Sequence, residues 1–138
     1  QGRSEIQKVG SFLSRSRFNI SGVIHSDKLR TQETALILSK ALNCGQVVQE
    51  SSFPIGPNDE VGPLCDAIKN TKYKNLIENK MIVGHLPYLG KLLSKLLFEN
   101  ENKTIIDFEP GMVLSIKSDL FRKEWVIEWV FKPSLLGS

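Results

Sequence analysis

A histidine and an arginine, each following a short apolar run, are the residues of this sequence best suited to chemistry. His85 follows the run in "MIVGHLPYLG" (81–90), and Arg30 closes "GVIHSDKLR" (22–30), four residues after Ser26. An arginine guanidinium can hold two oxygens of a phosphate at once. A histidine can donate to a phosphoryl oxygen or stabilise charge in the transition state. The two residue types together predict a site for a phosphate-like anion.

Both apolar runs are expected to be buried strands that lead directly into helices. The first turn of a helix has free N–H groups and a partial positive charge, so it favours anions. Ser26 and Asp27 precede one such helix, and Gly84 would let the backbone come close to a ligand beside the other. His25 precedes Ser26 by one residue, so its side chain should point to the opposite face of the strand. We therefore expect His25 to pack in the core or between helices.

The elements that must position these residues alternate between strands and helices. This pattern favours one domain (residues 1–138) of the α/β class, with three α/β/α layers and a mostly parallel sheet that has an antiparallel edge. Ligands bind at the carboxyl ends of the strands in such sheets, which is where His85 and Arg30 are predicted. The predicted elements are a helix over 3–15, a strand at 22–26, a helix at 28–42, a short strand at 46–50, a helix capped by Asp59, a strand at 80–84, a helix after Pro87, and strands at 111–118 and 124–131, the last with Trp125 and Trp129 on one face.

Composition excludes several classes of function. The chain of 138 residues is 41% hydrophobic and 24% charged, with a net charge of +3, which is too small and too scattered to indicate a nucleic-acid binder. It contains neither a membrane-spanning run nor a phosphate-binding or dinucleotide-binding glycine motif. Its two histidines and two cysteines lack the spacing of metal ligands, so we expect neither a metal nor a cofactor.

The cysteines bear on the cellular compartment. Cys44 and Cys65 are too few for a disulfide scaffold in a chain of this length, and Cys65 falls on an apolar helical face. A buried free thiol is therefore expected at Cys65. This indicates a reducing compartment, and we expect a cytoplasmic protein without a membrane partner.

Two segments resemble motifs of the histidine phosphatase superfamily, which has the phosphoglycerate mutase-like fold. "HSDKLRTQETALILSKAL" (25–42) resembles the pattern S-P-x-x-R-A-x-Q-T-A of that superfamily. "MIVGHLPYLGKLLSKLL" (81–97) resembles its V-G-H-x-P segment, and the form H-L-P-x-x-G is most similar to the SixA-type phosphohistidine phosphatases. Weaker similarity covers the rest of the chain, in the order that the superfamily shows.

The resemblance implies a phosphate pocket and assigns roles within it. Arg30 would clamp the phosphoryl group together with Ser26 and Gly84, and His85 would donate to a phosphoryl oxygen. The backbone N–H of Leu86 would contribute to the same site. Asp27 stands where the superfamily has proline, and Glu33 where it has glutamine. These carboxylates lower the expected phosphate affinity unless Asp27 caps the helix and Glu33 pairs with a lysine.

The superfamily's nucleophile is a different histidine, in an R-H-G motif at the end of its first strand, and this sequence has no R-H-G. Either the segment belongs to the natural protein and lies before these residues, which we expect, or the protein lacks it. A parallel sheet without that strand would have an unpaired gap. The resemblance then implies a phosphohistidine phosphatase acting on a signalling protein, through a phosphohistidine intermediate and with inorganic phosphate as product.

Two alternatives remain open. One is a small-molecule phosphomonoesterase on the same fold, for which the only acidic candidates above the pocket are Asp59 and Glu60. The other is a catalytically inactive module that binds phosphate or a phosphoprotein.

Overall fold

The computed structural model describes residues 2–16, 19–42, 48–70, 78–119 and 124–136. Its helices and strands alternate along the chain as the sequence predicts. In chain order they are α1 (Gly2–Ser14), β1 (Gly22–His25), α2 (Leu29–Ala41), β2 (Val48–Glu50), α3 (Gly62–Lys69), β3 (Lys80–Val83), α4 (Tyr88–Phe98), β4 (Val113–Asp119), β5 (Glu124–Phe131) and a 3-10 helix (Pro133–Leu136).

The strands form a parallel sheet and a separate antiparallel hairpin. The parallel sheet has the order β2-β1-β3, and His25 at the end of β1 stands beside Val83 at the end of β3. Strands β4 and β5 pair antiparallel with each other. This confirms the predicted α/β class with a mostly parallel sheet and an antiparallel part.

Helices α1 and α2 cover one face of the parallel sheet. Alternate strand residues point toward them, among them Val23, which is fully buried. The two helices approach closely at Gly10, where an added Cβ would lie 2.7 Å from the Cβ of Ala41. The core on this side also includes Phe12 of α1, whose ring stacks on Phe131 of β5 at 4.0 Å between centroids.

Helices α3 and α4 cover the opposite face and complete the third layer. Their buried residues pack against Ile82 of β3, which points away from α1 and α2. Burying an aliphatic or aromatic side chain contributes roughly 1.5–3 kcal/mol to stability. The buried members of this core are Ile55, Val61, Leu64, Cys65, Tyr88, Leu92 and Leu96.

Strand β3 and the β4–β5 hairpin lie in one layer without being paired. On the α1 and α2 side, Met81 and Val83 of β3 share a core with Val113 of β4. On the α3 and α4 side, Ile82 shares a core with Ile116 of β4. Both faces are therefore continuous across β3 and the hairpin, yet β3 pairs only with β1 among the described residues. All four residues of β3 are only half-buried, in keeping with an open sheet edge on that side.

Two local predictions differ from the structure. Helix α3 begins at Gly62, and Asp59 does not cap it, because the Asp59 carboxylate accepts from the backbone N–H of Gly56 at 2.7 Å. Trp125 and Trp129 lie on opposite faces, since a register shift between Ser115 and Ile116 inserts one extra residue in β5.

Of the two cysteines, only Cys65 lies among the described residues. Cys65 is buried as a free thiol, as predicted, and burial raises its pKa. Cys44, with the predicted helix end at Gly45 and the first part of the predicted strand at 46–50, lies outside the described residues.

In the described part of the chain, the helices are too short or too polar to cross a bilayer.

Candidate functional site

Parallel pairing of β1 with β3 brings Ser26 and His85 together. Both residues follow the last residues of neighbouring strands, so they leave the sheet at the same edge. The hydroxyl of Ser26 lies 2.7 Å from Nε2 of His85, although the two residues are 59 positions apart in the chain. The two predicted strand exits therefore form one site.

The hydroxyl of Ser26 is the centre of a buried hydrogen-bond cluster at the start of α2. Ser26 is 1% exposed, and its Oγ lies 2.6 Å from Oγ1 of Thr31, which is also buried. The backbone N–H of Lys28 donates to the same Ser26 oxygen at 3.3 Å. Ser26 thus takes one of the free N–H groups that precede α2.

Asp27 does not cap α2, so capping does not remove the expected effect of its carboxylate on phosphate affinity. The residue at the N-cap position is Lys28, and its side chain makes no capping bond. Asp27 instead lies 3.8 Å from the ammonium of Lys28, in a pair whose two side chains are both largely exposed. Exposed pairs of this kind contribute little to stability, and this one partly neutralises the carboxylate near the site.

Positive charge surrounds His85. Partial burial lowers the pKa of His85, and the cations Arg30 and then Lys28 lower this pKa further, while Asp27 opposes them. A pKa below the ordinary value of about 6.5 keeps the imidazole neutral at neutral pH. Arg30 is exposed and has no hydrogen bond or ion pair with the part of the chain that the structure describes. Its guanidinium is therefore free to bind an incoming anion.

Gly84 and Leu86 flank His85. An added Cβ at Gly84 would lie 3.3 Å from Leu89 of α4, so packing of this helix gives one reason for a glycine here. Leu86 precedes a cis peptide bond to Pro87 and is 41% exposed. The backbone N–H of Leu89 donates to the carbonyl of His85 at 2.9 Å, which ties the histidine to the first turn of α4.

His25 has a structural position. It is 6% exposed, and its Nδ1 lies 2.7 Å from the backbone carbonyl of Ser26. A carbonyl only accepts, so Nδ1 of His25 carries the proton of this bond. This agrees with the expectation that His25 packs in the core, and the bond fixes the backbone that presents the Ser26 hydroxyl.

Thr31 is the residue that sequence reasoning missed. Its place directly after Arg30 gave no sign of a role, because threonines in the first turns of helices are common. A threonine on the inner face of a predicted helix, five residues after a serine at a strand end, is the signal that would have found it. Among the described residues, no group of three or more His, Cys, Asp or Glu side chains is placed to hold a metal ion.

The fold of the described chain is similar to that of a known phosphatase. A solved structure of the protein histidine phosphatase SixA complexed with tungstate matches with a TM-score of 0.80 over 97% of this chain and 82% of that chain, at 19% identity. At this identity the likeness shows the fold, which is α/β and phosphoglycerate mutase-like. No family model matches the chain, and no curated protein matches it.

Proposed function

We propose that this protein is a phosphatase of the histidine phosphatase type that removes the phosphoryl group from phosphohistidine on another protein. The observation that carries the proposal is the 2.7 Å bond between Ser26 and His85, beside the cation of Arg30, which has no partner among the described residues. A neutral histidine donor and a free guanidinium at one sheet edge suit a dianionic phosphoryl group.

The proposed reaction has two steps. A nucleophilic histidine nitrogen attacks phosphorus, the N–P bond of the substrate breaks, and the leaving imidazole nitrogen takes a proton. Water then attacks the phosphorus of the enzyme's phosphohistidine, which releases inorganic phosphate and restores the free histidine. Arg30 binds two phosphoryl oxygens, and His85 donates to a third as charge develops.

The proposed nucleophile comes from an extended segment in the gap between β3 and the β4–β5 hairpin. A strand parallel to β3 in that gap would end at the same sheet edge as His85. It would also cover the half-buried edge residues Met81, Ile82 and Val83. Neither histidine of this chain suits the role, since His25 is buried against a carbonyl and His85 bonds to Ser26.

A protein substrate is favoured by the surroundings of the site. Leu29 is 68% exposed at the start of α2, and Leu86 is 41% exposed at the start of the α4 segment. Exposed apolar residues on both sides of a phosphate site suit a protein surface better than a sugar phosphate.

The carboxyl groups near the site bear on the bond that is broken. Asp27, which acts on the pKa of His85, is exposed and paired with the ammonium of Lys28. Asp59 accepts from the backbone N–H of Gly56, and its charge contributes to the raised pKa of Tyr88, whereas it is not among the groups that shift the pKa of His85. A phosphoramidate needs less help from a general acid than a phosphoester, because its nitrogen is readily protonated.

The experiment uses the full-length protein and follows phosphate release from a histidine-phosphorylated protein and from p-nitrophenyl phosphate. We expect release from phosphohistidine and far slower turnover of the ester. His85→Ala should lower kcat/KM by about 10²–10³-fold, the usual effect of removing one oxyanion donor. Arg30→Lys keeps the charge but loses the bidentate geometry, so it should also be impaired.

Two outcomes would contradict the proposal. Faster turnover of the ester would indicate a small-molecule phosphomonoesterase. Binding of the phosphoprotein without any phosphate release would indicate an inactive phosphoprotein-binding module, for which the positions of His25 and His85 are the supporting observation.

A further inference from the structure

We infer that Thr31 is a positioning residue, which accepts the proton of the Ser26 hydroxyl and thereby keeps the single ring proton of neutral His85 on Nε2. The S-P-x-x-R-A-x-Q-T-A pattern has alanine at this position, so Thr31 is a feature of this chain and not of the shared motif. The catalytic consequence rests on the proposed function, but the proton arrangement does not.

The donor and acceptor in each hydrogen bond of the cluster can be assigned by starting at Thr31. Its hydroxyl carries one proton and lies 2.9 Å from the carbonyl of Lys28 and 3.3 Å from the carbonyl of Ser26. Carbonyl oxygens can only accept, so the Thr31 hydroxyl must be the donor in either of these two bonds. With this proton directed to Lys28, Oγ1 of Thr31 is left as an acceptor for the Ser26 hydroxyl at 2.6 Å.

The next bond follows from the same count of protons. Ser26 also carries a single hydroxyl proton, which is now given to Thr31. Its oxygen therefore accepts from both remaining neighbours, the backbone N–H of Lys28 at 3.3 Å and Nε2 of His85 at 2.7 Å. His85 therefore donates a hydrogen bond to Ser26, Ser26 donates to Thr31, and Thr31 donates to the backbone.

This arrangement keeps a hydrogen-bond donor ready for the phosphoryl group. A neutral imidazole carries one ring proton, and the ring nitrogen without it can only accept. A phosphoryl oxygen is a stronger acceptor than a neutral hydroxyl, so it competes with Ser26 for the Nε2 proton when it binds. The donor is in place before the ligand arrives, which avoids reorganisation during the reaction.

Replacing Thr31 by valine tests the inference, because valine has nearly the same shape and no oxygen. The Ser26 hydroxyl then lacks its acceptor and turns its proton to Nε2 of His85, which forces the ring proton onto Nδ1. Thr31→Ser keeps the oxygen and should preserve the native tautomer. Nitrogen NMR of labelled imidazoles separates the two tautomers, and His25 and His85 are the two histidines of this sequence to assign.

The expected spectrum of the unmodified protein above the pKa of His85 shows Nε2 of His85 protonated. His25 serves as an internal reference, because its carbonyl partner keeps Nδ1 protonated in every variant. An Nδ1–H tautomer for His85 in the unmodified protein would overturn the inference, as would an unchanged tautomer in Thr31→Val. The first result needs no variant, so a failure of the valine variant to fold does not affect it.

Activity provides a second readout that separates this inference from the proposed function. In Thr31→Val we expect phosphate release from phosphohistidine to fall about tenfold or more at alkaline pH. The upper limit is the ~10²–10³-fold effect of losing a whole donor. The loss should shrink at acidic pH, where His85 becomes cationic and both nitrogens donate. A loss that is equal at all pH values would contradict the inference. An inactive unmodified protein with the expected tautomer would contradict the proposed function alone.

Discussion

The hydroxyl of Ser26 and Nε2 of His85 lie 2.7 Å apart, at the ends of two adjacent parallel strands. This contact joins the start of α2, with Arg30, to the start of α4, with Leu86. The contact depends on strand register, because the pairing of His25 with Val83 places Ser26 one residue and His85 two residues beyond the same pair.

The charges near His85 should be separable by their effects on its pKa. Burial and Arg30 lower this pKa most, Lys28 lowers it less, and Asp27 raises it. Arg30→Gln should therefore raise the pKa of His85, Lys28→Gln should raise it less, and Asp27→Asn should lower it. Proton NMR titration of the His85 ring measures all three. A pKa that does not respond to Arg30→Gln would place the guanidinium away from His85.

His85 should also make stability depend on pH. Its pKa is lower in the folded protein than in the unfolded chain, so the unfolded chain binds the proton more tightly. The free energy of unfolding should be highest when His85 is neutral in both states, and should decrease as the pH falls below about 6.5. Denaturant unfolding of the unmodified protein and of His85→Asn across this range tests the effect. An equally steep decrease in the variant would assign it to other groups.

Leu29 should contribute to the binding of a protein substrate but not to the chemistry. Leu29→Ser should raise KM for a phosphohistidine protein and leave hydrolysis of free phosphohistidine unchanged, because it removes only apolar contact area. The matched control is Phe98→Ser, since Phe98 is 53% exposed at the far end of α4. Equal effects of the two variants on KM would argue against a docking surface around the site.

Tyr88 should tolerate the loss of its hydroxyl. Its side chain is fully buried, and the hydroxyl has no hydrogen-bond partner in the described structure. Burial raises the pKa of Tyr88 to about 12, with a smaller contribution from Asp59. An unsatisfied buried polar group costs about 1–3 kcal/mol, so Tyr88→Phe should leave stability unchanged or raise it.

The control for Tyr88→Phe is Leu92→Ala in the same core, which should cost about 2–5 kcal/mol through the lost burial and the cavity. Thermal unfolding of both variants makes the comparison. A clear destabilisation by Tyr88→Phe would indicate a partner for the hydroxyl, such as a buried water.

Much of the fold follows from patterns that are local in sequence. The apolar runs before Ser26 and His85 predicted β1 and β3, and the leucines after Pro87 predicted α4, because burial periodicity is a local property. The convergence of the two strand ends followed from the rule for parallel sheets. The predicted roles of Arg30, Ser26, Gly84, His85 and Leu86 in binding phosphate remain predictions.

Other features depend on contacts between distant residues, which periodicity does not contain. The bulge that separates Trp125 from Trp129 depends on pairing across β4 and β5. The Asp59 carboxylate had two possible partners, a helix N-terminus and the N–H of Gly56, and only the loop conformation decided between them. Thr31 became significant only when the position of Ser26 was known.

The most direct test of a phosphate site between Arg30 and His85 is an anomalous difference map from crystals of the full-length protein soaked in tungstate. We expect one strong peak within hydrogen-bond distance of Nε2 of His85 and of the Arg30 guanidinium. The peak should be lost in the paired variant Arg30→Gln and His85→Ala. A peak elsewhere on the surface, or a peak that persists in that variant, would contradict the assignment of this site.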